Sequence, residues 1–353
     1  MPKFTPYLYF SLRPMQRITH LLRLLPILFI VVTACKEPLE ATIEPTVDTI
    51  AFGSCNRQDL PQVIWPAISQ NNPDVWVWLG DNIYGDSEDM NVMKQKYDMV
   101  LNEPGYKQLQ ASTKIIGTWD DHDYGQNDGG KGFKMREQSR QLFWDFIGEP
   151  ANSPRRSQQG VYSSHTYGPA GKQVKVILLD SRYNRDSLAR INKVYQTNYT
   201  GDMLGEEQWK WLENELRNSK AQVNIIGNGI QVLPEEQVYE KWANFPASRK
   251  RLLNLIADSK AKGVILISGD RHIAEISKTT LPGMSYPLYE VTSSGMTHVY
   301  SGTAIEPNKY RVGNLINKLN FGMFRFNWGD KVQVEMLVKG KDNEMYLSEK
   351  VVY

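Results

Sequence analysis

The segment Asp120–Asp123 brings three carboxylates and one imidazole together within four residues of the chain. Carboxylates repel one another and are rarely buried without partners, yet this segment directly follows the apolar run KIIGTW. One interpretation is a solvated turn after a strand, which is the ordinary meaning of an isolated acidic cluster. The other is a metal site, in which a bound cation offsets the repulsion. The rest of the sequence decides between them.

Other polar and ionisable residues also follow apolar runs that predict strands. In an α/β fold, ligands gather outside the carboxyl ends of the strands, so five such segments deliver donor atoms to one rim. Each residue alone has an ordinary structural interpretation, but their recurrence at equivalent points predicts a shared metal site. The strand-end residues are Cys55, Asp81 with Tyr84 three residues on, the group Asp121, His122 and Asp123, Asn228, and Asp270 with His272.

The donor types indicate the kind of metal. Carboxylates and a phenolate suit hard cations, whereas imidazole and thiolate extend the choice to transition metals. The chain has only five histidines, so an added tyrosine favours ferric iron over a histidine-rich zinc site. A neighbouring all-oxygen position suits calcium or another divalent ion.

These donors must be positioned by a layered α/β domain. β and α patterns alternate through most of the chain, and runs such as VILLD and VILIS are typical of strands buried on both faces. Helical patterns cover DLPQVIWPAISQ, residues 90–110, MREQSRQLFWDFIG, residues 203–219 and residues 247–263. Residues 49–353 are predicted to form one domain, because nothing in the sequence marks a second.

The composition is that of a globular protein, with 41% hydrophobic residues and a net charge of +2. Four of the basic residues lie in residues 1–34, and without them 37 basic residues face 39 acidic ones. No basic run occurs, so the sequence gives no electrostatic support for nucleic-acid binding.

The N-terminal segment predicts export. Basic residues precede the apolar run LLRLLPILFIVVTAC, which is short for a bilayer span, and small residues stand directly before Cys35. This pattern is similar to the lipobox of a bacterial lipoprotein signal peptide over residues 1–34, with Cys35 as the lipidated residue and residues 35–48 as a tether. An ordinary signal peptide or an anchor helix is the alternative. If Cys35 carries lipid, Cys55 has no disulfide partner and is either a small core residue or a metal ligand.

Six ordered motifs resemble the PhoD-like alkaline phosphatases, a branch of the calcineurin-like metallophosphoesterase superfamily. They extend from about Thr49 to about His298, and they are FGSCNR, LGDNIYGD, TWDDHDYGQND, ILLDSR, MLGEEQWKWLENEL and ISGDRH. The resemblance implies a four-layer α/β/β/α sandwich, in which two mixed sheets are flanked by helices, and a two-metal phosphoesterase site. Larger family members carry an N-terminal β-domain, which we do not expect here because only about a dozen residues separate Cys35 from the first predicted strand. The segment after Met296 matches weakly.

The resemblance also implies roles for individual residues. Cys55, Tyr84 and His272 match ligands of an iron ion, and Asp81 matches the carboxylate that bridges two metals. Asp270 matches a ligand of the second metal, and Asp121 stands where much of the superfamily has a metal-binding Asn. Asn228, or alternatively Gln231, matches a further ligand. His122 matches the catalytic imidazole, with Asp123 placed to orient it, and Arg57 follows the first motif, where it either clamps a phosphate oxygen or is a surface residue.

The predicted function is therefore that of an exported, lipid-anchored phosphoesterase on the periplasmic or cell-surface face of a membrane. It is expected to hydrolyse phosphate mono- or diesters, of small molecules or lipids, with a metal-activated water, using Fe³⁺ plus Ca²⁺ or another divalent ion. We expect a monomer. One alternative is a non-catalytic surface lipoprotein that binds metal or another ligand. Another is a serine esterase built on the GDS of Gly85–Ser87, although that serine follows the second strand rather than the first.

Overall fold

The computed structural model describes residues 45–300 and 306–353, together with Ser11 and Gly302. Apart from Ser11, the predicted signal peptide (residues 1–34) lies outside these residues, as do the first ten residues of the predicted tether, the first of which is Cys35. No helix within the described part of the chain is long and apolar enough to cross a bilayer.

Fifteen strands form within the described residues. They are β1 (Thr49–Gly53), β2 (Val75–Leu79), β3 (Lys114–Thr118), β4 (Ser163–Tyr167), β5 (Val174–Leu178), β6 (Arg190–Ile191), β7 (Val194–Tyr195), β8 (Val223–Asn228), β9 (Val264–Ser268), β10 (Ala274–Thr279), β11 (Leu288–Ser293), β12 (Arg311–Ile316), β13 (Phe321–Trp328), β14 (Val332–Lys339) and β15 (Met345–Val352).

Seven α-helices separate many of these strands, with short 3₁₀ turns at Pro154–Ser157 and Trp242–Asn244. The helices are α1 (Trp65–Gln70), α2 (Met90–Asn102), α3 (Pro104–Gln110), α4 (Asp121–Tyr124), α5 (Arg136–Ile147), α6 (Glu206–Arg217) and α7 (Pro246–Ser259).

Two mixed sheets stack on each other. The first has the order β15-β14-β13-β1-β2-β3, and the second has the order β12-β10-β11-β9-β8-β5-β4. β1, β2 and β3 run parallel in the first sheet, as do β5, β8, β9 and β11 in the second. The carboxyl ends of these parallel strands are the positions at which the sequence places the candidate ligands.

Alternating residues of the parallel strands explain the layers. Ile50 and Phe52 of β1 pack with Ile265 and Ile267 of β9 in the core between the sheets, whereas Ala51 faces the helices on the other side of the first sheet. A strand that buries both faces needs apolar residues at nearly every position. The four-layer α/β/β/α prediction is confirmed.

Two predicted helices have different bounds in the structure. The pattern over residues 90–110 is two helices, because Glu103 is extended and caps α3 directly before Pro104, a residue that cannot continue α2. The helix predicted for DLPQVIWPAISQ begins only at Trp65, where Pro66 occupies the first turn, a position that needs no N–H donor.

Candidate metal centre and active site

Four turns that follow parallel strands carry the candidate ligands to one place. Cys55 follows β1, Asp81 follows β2, Asp121 opens α4 after β3, and Asp270 follows β9. The backbone holds these turns together, since the N–H of Asn56 donates to the carbonyl of Asp81 at 2.8 Å. The convergence follows from the parallel order of the strands.

The backbone of these turns is strained. Cys55, Asp81, Asp270 and His272 have φ angles of 60°, 50°, 69° and 54°. Residues with a Cβ rarely adopt this left-handed region, and such strain clusters at functional sites. Neighbouring Gly80 is also left-handed, at φ 91°, and a Cβ there would overlap the side chain of Asp120. This left-handed backbone lowers the stability of the fold, and it directs these side chains inwards.

The first donor group contains Cys55, Asp81 and His272, whose donor atoms all lie within 4.8 Å of one another. Tyr84 joins them: its Oη lies 2.8 Å from Nε2 of His272 and donates to Oδ2 of Asp81 at 3.4 Å. The structure thus brings together the four residues that the family motifs match to one metal ion.

The second donor group contains Asp81, Asp120, Asp121 and Asp270, again within 4.8 Å, and a third contains Asp81, Asp121 and His122. Asp81 belongs to all three groups, as a carboxylate that bridges two ions must. Asp120 belongs to the second group although it was not predicted as a ligand, because its position one residue nearer the strand gave no separate signal.

Burial makes the charged forms of these residues costly. It raises the pKa of Asp81 well above its usual value, and the carboxylates Asp121, Asp120 and Asp123 add to this effect, while His122 acts against it. Burial likewise raises the pKa of the Cys55 thiol well above its ordinary value and that of Asp270 to about 7.

The pKa of Asp121 is lowered, unlike the pKa values of Asp81 and Asp270. Although burial acts to raise its pKa, the charges of Arg182 and His122, together with the N–H of Asp128, lower it to about 2. Asp121 is therefore the carboxylate of the second donor group that Arg182 and His122 stabilise in its charged form, whereas burial opposes the charged forms of Asp81 and Asp270.

The side chains present fit a bound cation. Oδ2 of Asp120 is buried and has no hydrogen-bond partner among the described residues. Thiol, phenol, imidazole and carboxylate together form a donor set for a transition metal beside a harder oxygen-ligated ion. A cation would offset the burial cost that keeps these groups protonated without it.

His122 is held by Asp86, not by Asp123. Its Nδ1 lies 2.8 Å from both carboxylate oxygens of Asp86, and its ring stacks on Tyr84 with centroids 4.1 Å apart. The backbone supports this pair, since the N–H groups of Gly85 and Asp86 both donate to the carbonyl of His122. Despite the opposing effect of burial, Asp81, Asp121 and Asp86 raise the pKa of His122 to about 11.

The predicted orienting role of Asp123 is wrong. Its buried carboxylate accepts hydrogen bonds from the backbone N–H groups of Asp81 and Asp120 and from Nδ2 of Asn82, at 3.1, 2.7 and 2.5 Å. Asp123 therefore fixes the turn after β2 against the turn after β3. Sequence adjacency to His122 suggested a contact that the helical turn of α4 prevents, because neighbouring residues on a helix point in different directions.

The structure does not support Asn228 as a donor pointing at the cluster. Its Oδ1 accepts from Nε1 of Trp242 at 2.9 Å, which fixes the amide with Nδ2 on the other side. The alternative, Gln231, is also engaged elsewhere, because its Nε2 donates to Glu275 and Thr292 at 2.7 and 2.9 Å. The fourth residue of the second donor group is Asp120.

Arg57 lies beside the donor groups, but it does not line the cavity that opens above Asp81 and His272. Its guanidinium pairs with Asp59 at 2.7 Å, with the side chain 44% exposed, and lies 6.0 Å from the ring centre of Tyr84. Its backbone N–H donates to Thr297. The phosphate-binding role predicted for Arg57 stays a prediction.

The serine considered for an esterase has a local structural role. Oγ of Ser87 accepts the N–H of Asp89, the N-cap of α2, at 3.0 Å. Among the described residues no histidine side chain is hydrogen-bonded to Ser87. The pair that a serine nucleophile needs is therefore missing from this part of the chain.

Two further features near the donors escaped sequence reasoning. Arg182, which is fully buried, donates to Asp120 and Glu240 at 2.6 Å each. His298 places Nε2 3.2 Å from Oη of Tyr84, and its ring lies 4.2 Å from that of His272. Arg182 had a signal in the motif ILLDSR, but His298 follows no strand-end pattern.

A cavity of about 230 Å³ opens above Asp81, Asp121, His122, Asp270 and His272. Larger grooves of about 570 and 490 Å³ lie elsewhere, lined by strand-edge residues such as Trp328. By volume alone, the active site would be assigned to one of those grooves. The smaller cavity alone combines strained backbone, clustered donors and shifted pKa values, so the chemistry is assigned to it.

A two-sheet sandwich with clustered donors at its strand ends is the fold of the metallophosphoesterases. The chain belongs to the PhoD-like phosphatase family, whose sequence model matches residues 50–309. Alkaline phosphatase D of Bacillus subtilis (strain 168) is 24% identical over 269 residues, which cover 64% of this chain and 46% of that protein. The chain thus spans about half the length of this curated relative.

Solved structures show the same fold. The structure of PhoD superposes with a TM-score of 0.69 at 19% identity, covering 87% of this chain and 72% of that one. Purple acid phosphatase PPD1 from yellow lupin (Lupinus luteus) seeds gives 0.59 at 12% identity, covering 88% and 54%. GAP50, the anchor in the inner membrane complex of Plasmodium, gives 0.57 at 13% identity, covering 87% and 89%.

Proposed function

We propose that the chain is a metal-dependent phosphoesterase that hydrolyses phosphate esters in the 230 Å³ cavity. The observation that carries this proposal is the position of Asp81, whose carboxylate is common to all three donor groups, including the one that contains His122. Membership of the PhoD-like phosphatase family supports the same reaction class.

The residues divide into two sets toward the metals. Cys55, Tyr84 and His272 would hold an iron ion and Asp120, Asp121 and Asp270 a calcium or other divalent ion, with Asp81 between them. When bound, such ions supply Lewis acidity toward phosphate oxygens and lower the pKa of water. The thiolate and phenolate favour Fe³⁺ at the first position, and the all-carboxylate set favours a hard divalent ion at the second.

The chain's own contribution to the reaction is proton supply and orientation. In hydrolysis the oxygen of water bonds to phosphorus, the ester P–O bond breaks, and the alcohol oxygen leaves with a proton. Asp86 and the Tyr84 ring fix the imidazole of His122, which would give its proton to the leaving oxygen. A positioned acid of this kind contributes about 10²–10⁴ in rate.

The N-terminal segment completes the proposal. The basic and apolar pattern before Cys35 supports an exported lipoprotein, anchored through lipid on Cys35 at the periplasmic or cell-surface face of a membrane. Replacing Cys35 with serine should release the protein from membranes or stall its processing. An unlipidated wild-type N-terminus in mass spectrometry would contradict the anchor without affecting the phosphoesterase.

The test of the function combines metal content with turnover. The metal-loaded protein should release phosphate or alcohol from a panel of simple mono- and diesters, and chelation should abolish this. Asp81→Ala should lose both ions, because only this carboxylate touches both sets. Asp98→Asn is the matched control, since Asp98 is a half-exposed carboxylate of α2 whose ion-pair partner among the described residues is Lys94.

A non-catalytic metal-binding lipoprotein is the alternative function. The anchor GAP50 shares the fold, so the fold alone does not decide. The intact donor groups and the His122–Asp86 pair favour an enzyme. A wild-type protein that retains metal yet turns over none of the esters would establish the alternative.

A further inference from the structure

The loop after α4 holds the carboxylate of the candidate ligand Asp121. The N–H of Asp128 donates to Oδ2 of Asp121 at 2.7 Å, and the N–H of His122 donates to Oδ1 of the same carboxylate at 3.0 Å. Hydrogen bonds of this kind orient a ligating carboxylate toward its metal. Because His122 directly follows Asp121 in the chain, the contact that a separate segment can adjust is the one from Asp128.

The backbone of Asp128 depends on its neighbours for support. Its φ angle of 54° lies in the left-handed region, which is uncommon for a residue with a Cβ. The guanidinium of Arg185 donates to the carbonyl of Asp128, and it also donates to the carbonyl of Gly129 at 2.8 Å. Arg185 therefore holds the backbone of this loop, but it leaves the side chain of Asp128 to another element.

The hairpin β6–β7 holds the side chain of Asp128. Oη of Tyr195 donates to Oδ2 of Asp128 at 2.6 Å, and a guanidinium nitrogen of Arg190 lies 3.6 Å from the same oxygen. Within the described part of the chain, Asp128 is the residue outside the hairpin with which side chains of residues 190–195 form a hydrogen bond or an ion pair. The hairpin is thus connected to the donor groups through one carboxylate.

The rest of the hairpin points away from the site. Asn192 and Lys193 form its turn with φ angles of 50° and 66°, the two left-handed residues that a two-residue hairpin turn requires. Ile191 and Val194 beside the turn are exposed. Tyr195, in contrast, lines the cavity above the donor groups.

Building on the proposed phosphoesterase function, in which Asp121 helps to hold the second ion, we infer that Tyr195 is a positioning residue for that ion. The hydroxyl of Tyr195 fixes the carboxylate of Asp128, and the N–H of Asp128 orients Asp121. Tyr195 itself belongs to none of the donor groups. If Tyr195 only joined the hairpin to the domain, its hydroxyl would have no influence on the affinity for metal.

The experiment measures the affinity for the second ion independently of turnover, by equilibrium dialysis of the protein against Ca²⁺ and, in parallel, Mn²⁺. Tyr195→Phe removes only the hydroxyl. It should weaken binding of the second ion by about tenfold, the lower end of the 10–100-fold effect of groups that orient metal ligands, because Tyr195 acts through one further residue. The ion content at Cys55 and His272 should stay unchanged. Tyr199→Phe is the matched control, since Tyr199 is 74% exposed and does not line the cavity.

A double-mutant cycle tests whether the effect passes through Asp128. Asp128→Ala keeps the N–H that Asp121 accepts but removes the carboxylate that Tyr195 holds, so it should weaken binding of the second ion at least as much as Tyr195→Phe. Adding Tyr195→Phe to Asp128→Ala should then change the affinity by less than about twofold. A further tenfold loss in the double variant would overturn the inference, because Tyr195 would act by another route.

An unchanged affinity for the second ion in Tyr195→Phe, with circular dichroism that shows a folded protein, would also overturn the inference. That result would leave the phosphoesterase function standing. Conversely, a wild type that binds both ions, responds to Tyr195→Phe as expected and hydrolyses no ester would contradict the function but not the role of Tyr195. A wild type that takes up no second ion would contradict both.

Discussion

Replacing Asp86 should damage proton transfer to the leaving group, whereas replacing Asp123 should damage the structure of the site. Asp86 lies 2.8 Å from Nδ1 of His122, and this is the contact that orients the imidazole. The hydrogen bonds of the Asp123 carboxylate instead join the turn at Asp81 and Asn82 to the turn at Asp120.

The magnitude follows from the geometry of the pair. A hydrogen bond to a charged group contributes roughly 1.5–3 kcal/mol. The side chain of Asp86 is 41% exposed, so solvent screens the interaction and a value of about 1–2 kcal/mol is more realistic. Because about 1.4 kcal/mol is a factor of ten, Asp86→Asn should lower turnover by roughly 5–30-fold. This is less than the loss of about 10²–10⁴ expected for His122→Ala.

The assay uses leaving groups of different basicity. A phenolate needs a proton as it leaves, whereas p-nitrophenolate leaves readily without one. The loss in Asp86→Asn should therefore be larger for phenyl phosphate than for p-nitrophenyl phosphate, with metal content unchanged. Asp123→Asn should lose metal or stability and reduce both rates alike.

The opposite pattern would refute the reasoning. If Asp86→Asn reduces both rates equally, or not at all, Asp86 does not act through proton transfer. If Asp123→Asn keeps its metals and loses activity only on phenyl phosphate, the original assignment of Asp123 is restored.

Three further predictions concern charge, metal and pH. Arg182→Met leaves Asp120 and Glu240 buried without their common partner, so it should destabilise the protein by about 3–5 kcal/mol in denaturant unfolding; a change below 1 kcal/mol would contradict this. Tyr84→Phe should shift or erase the visible charge-transfer band of a protein loaded with Fe³⁺, and a colourless, fully active wild type would exclude ferric iron. Burial raises the pKa of Glu290 to about 7, above an unfolded value near 4.5, so its ionisation opposes folding increasingly between these pH values, by about 3 kcal/mol above pH 7. Relative to wild type, Glu290→Gln should gain stability as pH rises through that window, and a flat difference in urea unfolding would contradict this.

The layers and the convergence of the donors could be predicted from the sequence, because both follow from simple periodicity. Buried strands read as apolar runs, and parallel strands bring their carboxyl ends to one edge. Cys55, Asp81, Asp121 and Asp270 are therefore recognisable before any coordinates exist. Tyr84 and His272 follow the same strand ends, and the family motifs match both of them to one metal ion.

Contacts that depend on side-chain direction could not be predicted in this way. Asp123 is next to His122 in sequence, whereas Asp86 is next to it in space. The turn of α4 determines that Asp86 makes the contact. His298 reaches Tyr84 from a loop 214 residues away, a separation that no local pattern encodes.

The left-handed backbone of four candidate ligands links the chemistry of the site to how it can be lost. Each such residue costs roughly 1–2 kcal/mol, so the four together cost an amount comparable with the net stability of a whole domain. The residues concerned are Cys55, Asp81, Asp270 and His272. Glycine at these positions removes the donor and the backbone penalty together, whereas alanine removes only the donor. A mutation to glycine at one of these positions therefore removes a candidate ligand and stabilises the fold at the same time. Glycine at these positions in a relative would indicate that the relative no longer catalyses the reaction.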